Sequence, residues 1–299
     1  MANHPYRVVA LGFFDGVHQG HAAILRRAAE LAKERGFSSA AVTFETHPRA
    51  LVLGVAPPMI TTLEQRCALI RAQGIDLVVA LAFDEKMAGT PPEEFADMLK
   101  TRWHARAVVC GGSFRFGKDA AGTPDTLKRC GLEVFVCPPV EFRGGIVSST
   151  HIREYVARGA VGRARQLLGR PFSMKGQVRT GFQRGRRLGY PTINLMPEEG
   201  MLLPGRGVYA SLATVDGRTF AAVTNVGTRP TFSDADIVSI ESYLLDFSGD
   251  LYGHEAEVAF LKYLRREREF ASGDALRTQI ACDIEQARAL CRKELRIHE

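Results

Sequence analysis

The chain has 299 residues, a net charge of +6, and 45% hydrophobic against 24% charged residues. That length predicts about two domains of ordinary size, and the composition excludes a disordered or fibrous chain. No apolar run reaches the roughly 20 residues a membrane-spanning helix needs, and the opening MANHPYRV lacks the layout of a signal peptide, so a cytoplasmic protein without a membrane partner is expected.

From the N-terminus to about residue 160, strand-like and helix-like segments alternate. YRVVAL reads as a buried strand, and AAILRRAAELAKERG as a helix with Ile24, Ala28 and Leu31 on its apolar face and Gly36 as its stop. SSAAVTF at 38–44, DLVVALAF at 76–83, ARAVVCG and LEVFVCPP are further strands. Helices around TLEQRCALIRAQG, PEEFADMLKTRW and DTLKRCG separate them. Apolar β-rich runs alternating with amphipathic helices predict a doubly wound parallel sheet, an α/β class first half.

Two short helices, STHIREYVARG and VGRARQLLG, close this half, and GRPFSMKG marks a boundary near residue 170, giving domains of 1–169 and 170–299. After it KGQVRTG, YPTINLM, GVYASLATV, TFAAVTNVG, IESYLLDF and EAEVAFLKYL follow as strands, with VDGR at 215–218 as a hairpin turn. Successive strands of this kind predict an antiparallel β-barrel, here closed by a terminal helix, GDALRTQIACDIEQARALCRKEL.

The six cysteines never fall as CxxC or at metal-ligand spacing with histidine, which predicts reduced structural thiols. The basic excess is scattered over helices with polar faces, KYLRRERE among them; QRGRR at 183–187 is the one basic run in a Gly-rich loop. No aromatic residues interleave with the basic ones in a stacking pattern, so a phosphate-rich substrate explains the charge and no nucleic acid partner is expected.

GFFDGVHQGH occupies positions 12–21, between the first strand and the first helix. Ligands of open parallel sheets bind at such turns, where backbone N–H groups and the helix dipole favour a phosphate. The N–H groups of Gly20 and His21 onward would hold it, with His18 and His21 as further donors. In VSSTHIREYV, Ser149 and Thr150 read equally as helix caps or, with Arg153, as an anion site.

In the second half, the loop carrying Gly181, Gly185 and Gly189 reads as a hairpin or as a phosphate cradle, and Thr192 and Asn194 as the opening of an edge strand or as oxygen ligands to Mg²⁺. Glu241, a carboxylate among Ile240, Leu244 and Leu245, could accept a proton, but alternation alone favours an outward-facing strand residue. HPR in ETHPRA and His254 in YGHEAE read as ordinary loop residues.

GFFDGVHQGH, TFETHPRALV, GGSFRFG and VSSTHIR resemble the nucleotidyltransferase module of the prokaryotic bifunctional riboflavin kinase and FAD synthetase family. GQVRTGFQRGRRLGYPTINL, NVGTRPTF, ESYLLDF and DLYG are similar to its riboflavin kinase module. The resemblance implies that the first half transfers AMP from ATP to FMN and the second phosphorylates riboflavin with ATP. His18 and His21, with Ser149, Thr150 and Arg153, would bind ATP phosphates; Gly12 and Gly20 would keep the turn close. By the same resemblance Glu241 would be the base of the kinase and Gly181, Gly185, Gly189, Thr192 and Asn194 its phosphate and Mg²⁺ site, Ser113 and Arg115 would be substrate or loop residues, and Asn225 would close over the kinase substrates. Ser113 stands where the family usually has Asn or Asp, Phe13 where Asn is frequent, and Thr46 where Pro is frequent. Two other readings are a kinase with a silent nucleotide-binding first half, and a flavin- or RNA-binding regulator on the same scaffold.

Overall fold

The computed structural model describes residues 6–179, 190, 192–229 and 237–295. The chain divides into two compact units, Met1–Ser149 and Thr150–Glu299.

The first unit is a five-stranded sheet in the order β3-β2-β1-β4-β5, with β1 at Arg7–Leu11, β2 at Ser38–Phe44, β3 at Leu77–Leu81, β4 at Ala105–Gly111 and β5 at Glu133–Cys137. Every pairing is parallel. β1 is buried on both faces, which is why its sequence runs apolar without alternation. Val8 and Ala10 join Leu25, Ala28 and Leu31 of helix α1 (Gln19–Arg35), while Val9 and Leu11 join Phe95, Ala96 and Leu99 of the helix Pro92–Arg102 on the opposite face. Gly36 ends α1 in the left-handed conformation expected of a C-terminal glycine. A second helix on the α1 side, Leu63–Arg71, opens with a reciprocal capping box between Thr62 and Gln65.

One expected core residue is placed differently. Ile24 is half-buried and lines a cavity at the sheet edge, while Ala22, Leu25, Ala28, Leu31 and Ala32 form the buried face of α1. Three short elements carry no periodic signal and were not expected: the helices Pro48–Leu53 and Glu85–Gly89, and the hairpin of β6 (Glu141–Phe142) with β7 (Gly145–Ile146). His47 of ETHPRA is thus a helix N-cap, its ring accepting from Arg49 N–H.

The second unit is a closed antiparallel barrel of six strands. In chain order they are β8 (Phe172–Arg179), β9 (Thr192–Pro197), β10 (Gly207–Val215), β11 (Arg218–Arg229), β12 (Ile237–Leu244) and β13 (Glu255–Arg265). The turn from β10 to β11 puts Asp216 at φ 49° and Gly217 at φ 74°, the left-handed pair of a tight hairpin. The terminal helix spans Gly273–Leu295 and sets Cys291 against Leu212 and Leu261 on the outside of the barrel. All six cysteines are unbridged.

The units part at Ser149/Thr150, whereas the sequence places the boundary at 169/170. The helices Ser149–Ala157 and Val161–Leu168 cause the difference, because they pack on the barrel. Gly205 N–H donates to Val156 O at 2.9 Å, and a Cβ on Gly205 would meet Ala157 O at 2.7 Å. The basic segment KYLRRERE is not helical: β13 runs to Arg265 and a loop follows.

Candidate functional site

β2 and β3 continue to one side of β1, and β4 and β5 lie on the other. The connections therefore diverge between β1 and β4, and an open parallel sheet binds ligands in the crevice at that switch point. A cavity of about 530 Å³ opens there, lined by Gly12 after β1, by Gly112, Ser113 and Phe114 after β4, by Cys137 at the end of β5 and Pro138 to Val140 after it, and by Ser149. His18, Gly20 and His21 form its wall at the start of α1.

The turn from β1 to α1 is sharply folded. Phe14, Gly16 and Val17 have φ of 57°, 78° and 36°; at non-glycine residues this region costs on the order of 1–3 kcal/mol each and must be imposed by neighbours. Gly12 lies so close to the Phe14 ring that a Cβ would meet it at 2.8 Å. The buried His18 caps α1, its Nδ1 accepting from His21 N–H at 3.3 Å. With Nδ1 accepting, the neutral ring carries its proton on Nε2, a donor suited to an anion. The two imidazoles stack with centroids 3.6 Å apart, and a Cβ on Gly20 would press on the His18 ring at 3.2 Å.

This geometry amends the expected donor set. His21 N–H is committed to the His18 ring, while that of Gly20, in the first turn, has no intrahelical acceptor. Ser149 Oγ donates to Asp15 O at 3.1 Å, so its hydroxyl ties the helix start to the β1 turn; to donate to a phosphate it must rotate away. Thr150 is exposed and Arg153 half-buried, both on the part of their helix that belongs to the second unit. Ser113 lines the cavity. Arg115 is exposed and turns back onto Phe114 O at 2.9 Å.

In the barrel a cavity of about 390 Å³ is lined by Thr192, Asn225 and Glu241. Register brings them together: Glu241 of β12 lies directly opposite Asn225 of β11 and Asn194 of β9. Paired residues share a face and residues two apart do also, so Thr192, Asn194, Asn225 and Glu241 form one polar row on the outer surface. Tyr190 meets Tyr243 edge-on at its border.

The other wall holds residues that sequence patterns did not single out: Arg265 at the end of β13, Glu267, Arg268 and Phe270 after it, and Leu276, Ile280 and Asp283 of the terminal helix. Asp283, 1% exposed, accepts from Arg265 Nε and Nη2, the latter at 2.8 Å, and from Gln279. Glu267 accepts from Asn225 Nδ2 at 3.0 Å. Only tertiary contact joins these to the polar row, so no local signal marks them. His254 pairs with Asp216 at 2.8 Å, away from this cavity. Gly181, Gly185 and Gly189, and QRGRR at 183–187, lie outside the described residues.

Among the described residues no three His, Cys, Asp or Glu side chains cluster to hold a metal. The oxygen donors of Thr192 and Asn194 suit Mg²⁺, which binds few protein ligands and completes its shell with substrate phosphates and water.

Comparison with known proteins follows the same division. Residues 1–151 match the family model described as FAD synthetase, and residues 168–291 that described as riboflavin kinase. The bifunctional riboflavin kinase/FMN adenylyltransferase of Pseudomonas fluorescens is 38% identical, covering 95% of this chain and 92% of that protein. That of Listeria monocytogenes is 34% identical, covering 96% and 93%. A solved structure described as a macrolide-efflux protein from Streptococcus pneumoniae is 31% identical with a TM-score of 0.87, covering 95% of both chains. That likeness bears on the fold; no helix among the described residues is long and apolar enough to cross a membrane. Two family models in tandem, and relatives alike along almost their whole length, make this chain a member of the bifunctional riboflavin kinase/FMN adenylyltransferase family.

Proposed function

We propose that the two cavities divide two ATP-dependent steps: riboflavin is phosphorylated to FMN at the barrel, and FMN is adenylylated to FAD at the parallel sheet. The observation that carries this is the pair of cavities, one in each unit of a chain that matches both family models. We assign adenylyl transfer to residues 1–169 and the kinase to 170–299, the helix begun by Ser149 lending its first residue to the former while packing on the latter.

At the sheet, an FMN phosphate oxygen attacks the α-phosphorus of ATP and the bond to pyrophosphate breaks. The nucleophile is already anionic, so no general base is required; positioning and charge stabilisation do the work. His18, His21 and Gly20 N–H would donate to the phosphates as charge moves onto pyrophosphate, with Ser149, Thr150 and Arg153 as further ligands and Ser113 beside the flavin nucleotide.

At the barrel, the riboflavin primary hydroxyl attacks the γ-phosphorus and ADP leaves. That hydroxyl is neutral, and Glu241 would take its proton. Asn225 and Asn194, flanking Glu241 in register, would orient the reacting groups. Thr192 and Asn194 would hold Mg²⁺, which supplies charge neutralisation at the phosphates. Riboflavin, FMN and ATP are the partners in this reading.

Incubating the protein with ATP, Mg²⁺ and either riboflavin or FMN, then separating the flavins by chromatography, tests it. FMN from riboflavin and FAD from FMN are expected. FMN alone would leave only the kinase, and no product from either flavin would overturn both assignments.

A further inference from the structure

The helix Leu63–Arg71 buries a charge that neither cavity accounts for. Arg66 is 0% exposed, and its hydrogen bonds all go to main-chain carbonyls at the ends of β1 and β2. Nη1 donates to Phe13 O at 3.4 Å, and Nη2 to Phe44 O at 2.7 Å and Glu45 O at 3.1 Å. Its guanidinium lies 4.4 Å over the Phe13 ring, and Nε has no hydrogen-bond partner among the described residues. A buried guanidinium with an unused donor and no carboxylate in hydrogen-bond contact is a poor stabiliser compared with an apolar side chain of its size. Burial pushes its pKa down, opposed by the charge of Asp15.

Asp15 stands in the same turn. Buried at 2% exposure, its carboxylate accepts from Ile60 N–H, Thr61 N–H and the Thr61 hydroxyl, each at 3.1 Å. Thr61 Oγ1 in turn accepts from Gly16 N–H at 3.1 Å. Thr43 Oγ1 donates to Phe13 O at 2.7 Å. The segment from Phe13 to Gly16 is thus gripped on both sides, by Arg66 at Phe13 and by Thr61 at Asp15 and Gly16. It leads directly into Val17, at φ 36°, and the His18 cap.

We propose that Arg66 and Asp15 are positioning residues for adenylyl transfer: together with Thr61 they impose the left-handed turn that presents the stacked His18 and His21 rings to the substrate phosphates. The proposal rests on the assignment of those histidines as phosphate ligands. Neither Arg66 nor Asp15 lines the cavity, so both act through the turn, and small displacements of it are costly because transfer depends on placement.

The test uses full-length Arg66→Met, which matches the buried volume without the charge or donors, and Thr61→Val, which removes only the hydroxyl shared by Asp15 and Gly16. Both are expected to lower FMN adenylyl transfer, Arg66→Met by about tenfold to a hundredfold. Riboflavin phosphorylation by the same chains should be unchanged, which controls for protein amount and integrity. The imidazole NMR signals of His18 and His21 should move while those of His254 in the other unit stay in place. If Arg66→Met does not fold by circular dichroism, Thr61→Val decides. Adenylyl transfer within twofold of the parent, with unmoved His18 and His21 signals, would overturn the proposal. A parallel His18→Ala/His21→Ala variant separates the two levels: if it keeps full transfer, the assignment of the histidines fails; if it loses transfer while the folded Arg66 and Thr61 variants keep it, only the positioning role fails.

Discussion

Glu241 alternates with Ile240 and Ser242, which are buried at 1% and 0% exposure inside the barrel. Period two therefore turns its carboxylate outward, as alternation along the strand predicts. What makes that outward position a site is the cover supplied by Arg265 to Phe270 and the terminal helix. Glu241→Gln keeps the shape and removes the proton acceptor; riboflavin phosphorylation is expected to fall by about a hundredfold or more, with FMN adenylyl transfer unaltered, in steady-state assays on the folded variant. Near-parental kinase turnover would refute the base role. At this scale the sequence was informative about residue type and less so about state. It showed His18 and His21 in a turn, but not that one ring accepts the other's N–H, because that depends on a turn conformation set by Thr61 and Arg66 some 45 residues away in the chain or more.

Elements followed local signals closely where those signals were long. SSAAVTF is β2, ARAVVCG is β4 and the terminal helix runs over Gly273–Leu295, since burial on one or two faces writes a period into several consecutive residues. The helices of six and five residues at Pro48–Leu53 and Glu85–Gly89 are too short to show one. VDGR was legible for a different reason: an Asp-Gly pair favours the left-handed turn that matches strand twist. At Gly217 a Cβ would meet nothing within 4 Å, so Gly217→Val isolates backbone strain. It should destabilise the barrel by about 1–2 kcal/mol in chemical denaturation, with FAD formation from added FMN intact at low denaturant. An unchanged unfolding midpoint would contradict the turn assignment.

At the scale of the whole molecule, each cavity is lined by residues of a single unit. Mixing Glu241→Gln chains with His18→Ala/His21→Ala chains should therefore convert riboflavin to FAD through released FMN, although neither variant alone does so; chromatography of the flavins reads the result. Failure of the mixture, with each remaining activity present, would mean that FMN does not pass between chains. The sequence by itself determined the α/β half, the barrel half and their order, because hydrophobic period and turn chemistry are local properties. It also carried the motifs of both family modules. Tertiary structure decided what those motifs are placed against: the switch point between β1 and β4, the row Asn194–Glu241–Asn225 across three strands, the Arg265–Asp283 wall, and the burial of Arg66 beneath the histidine turn. Each of these joins residues distant in the chain, and pairwise contact of that kind leaves no periodic trace in the sequence.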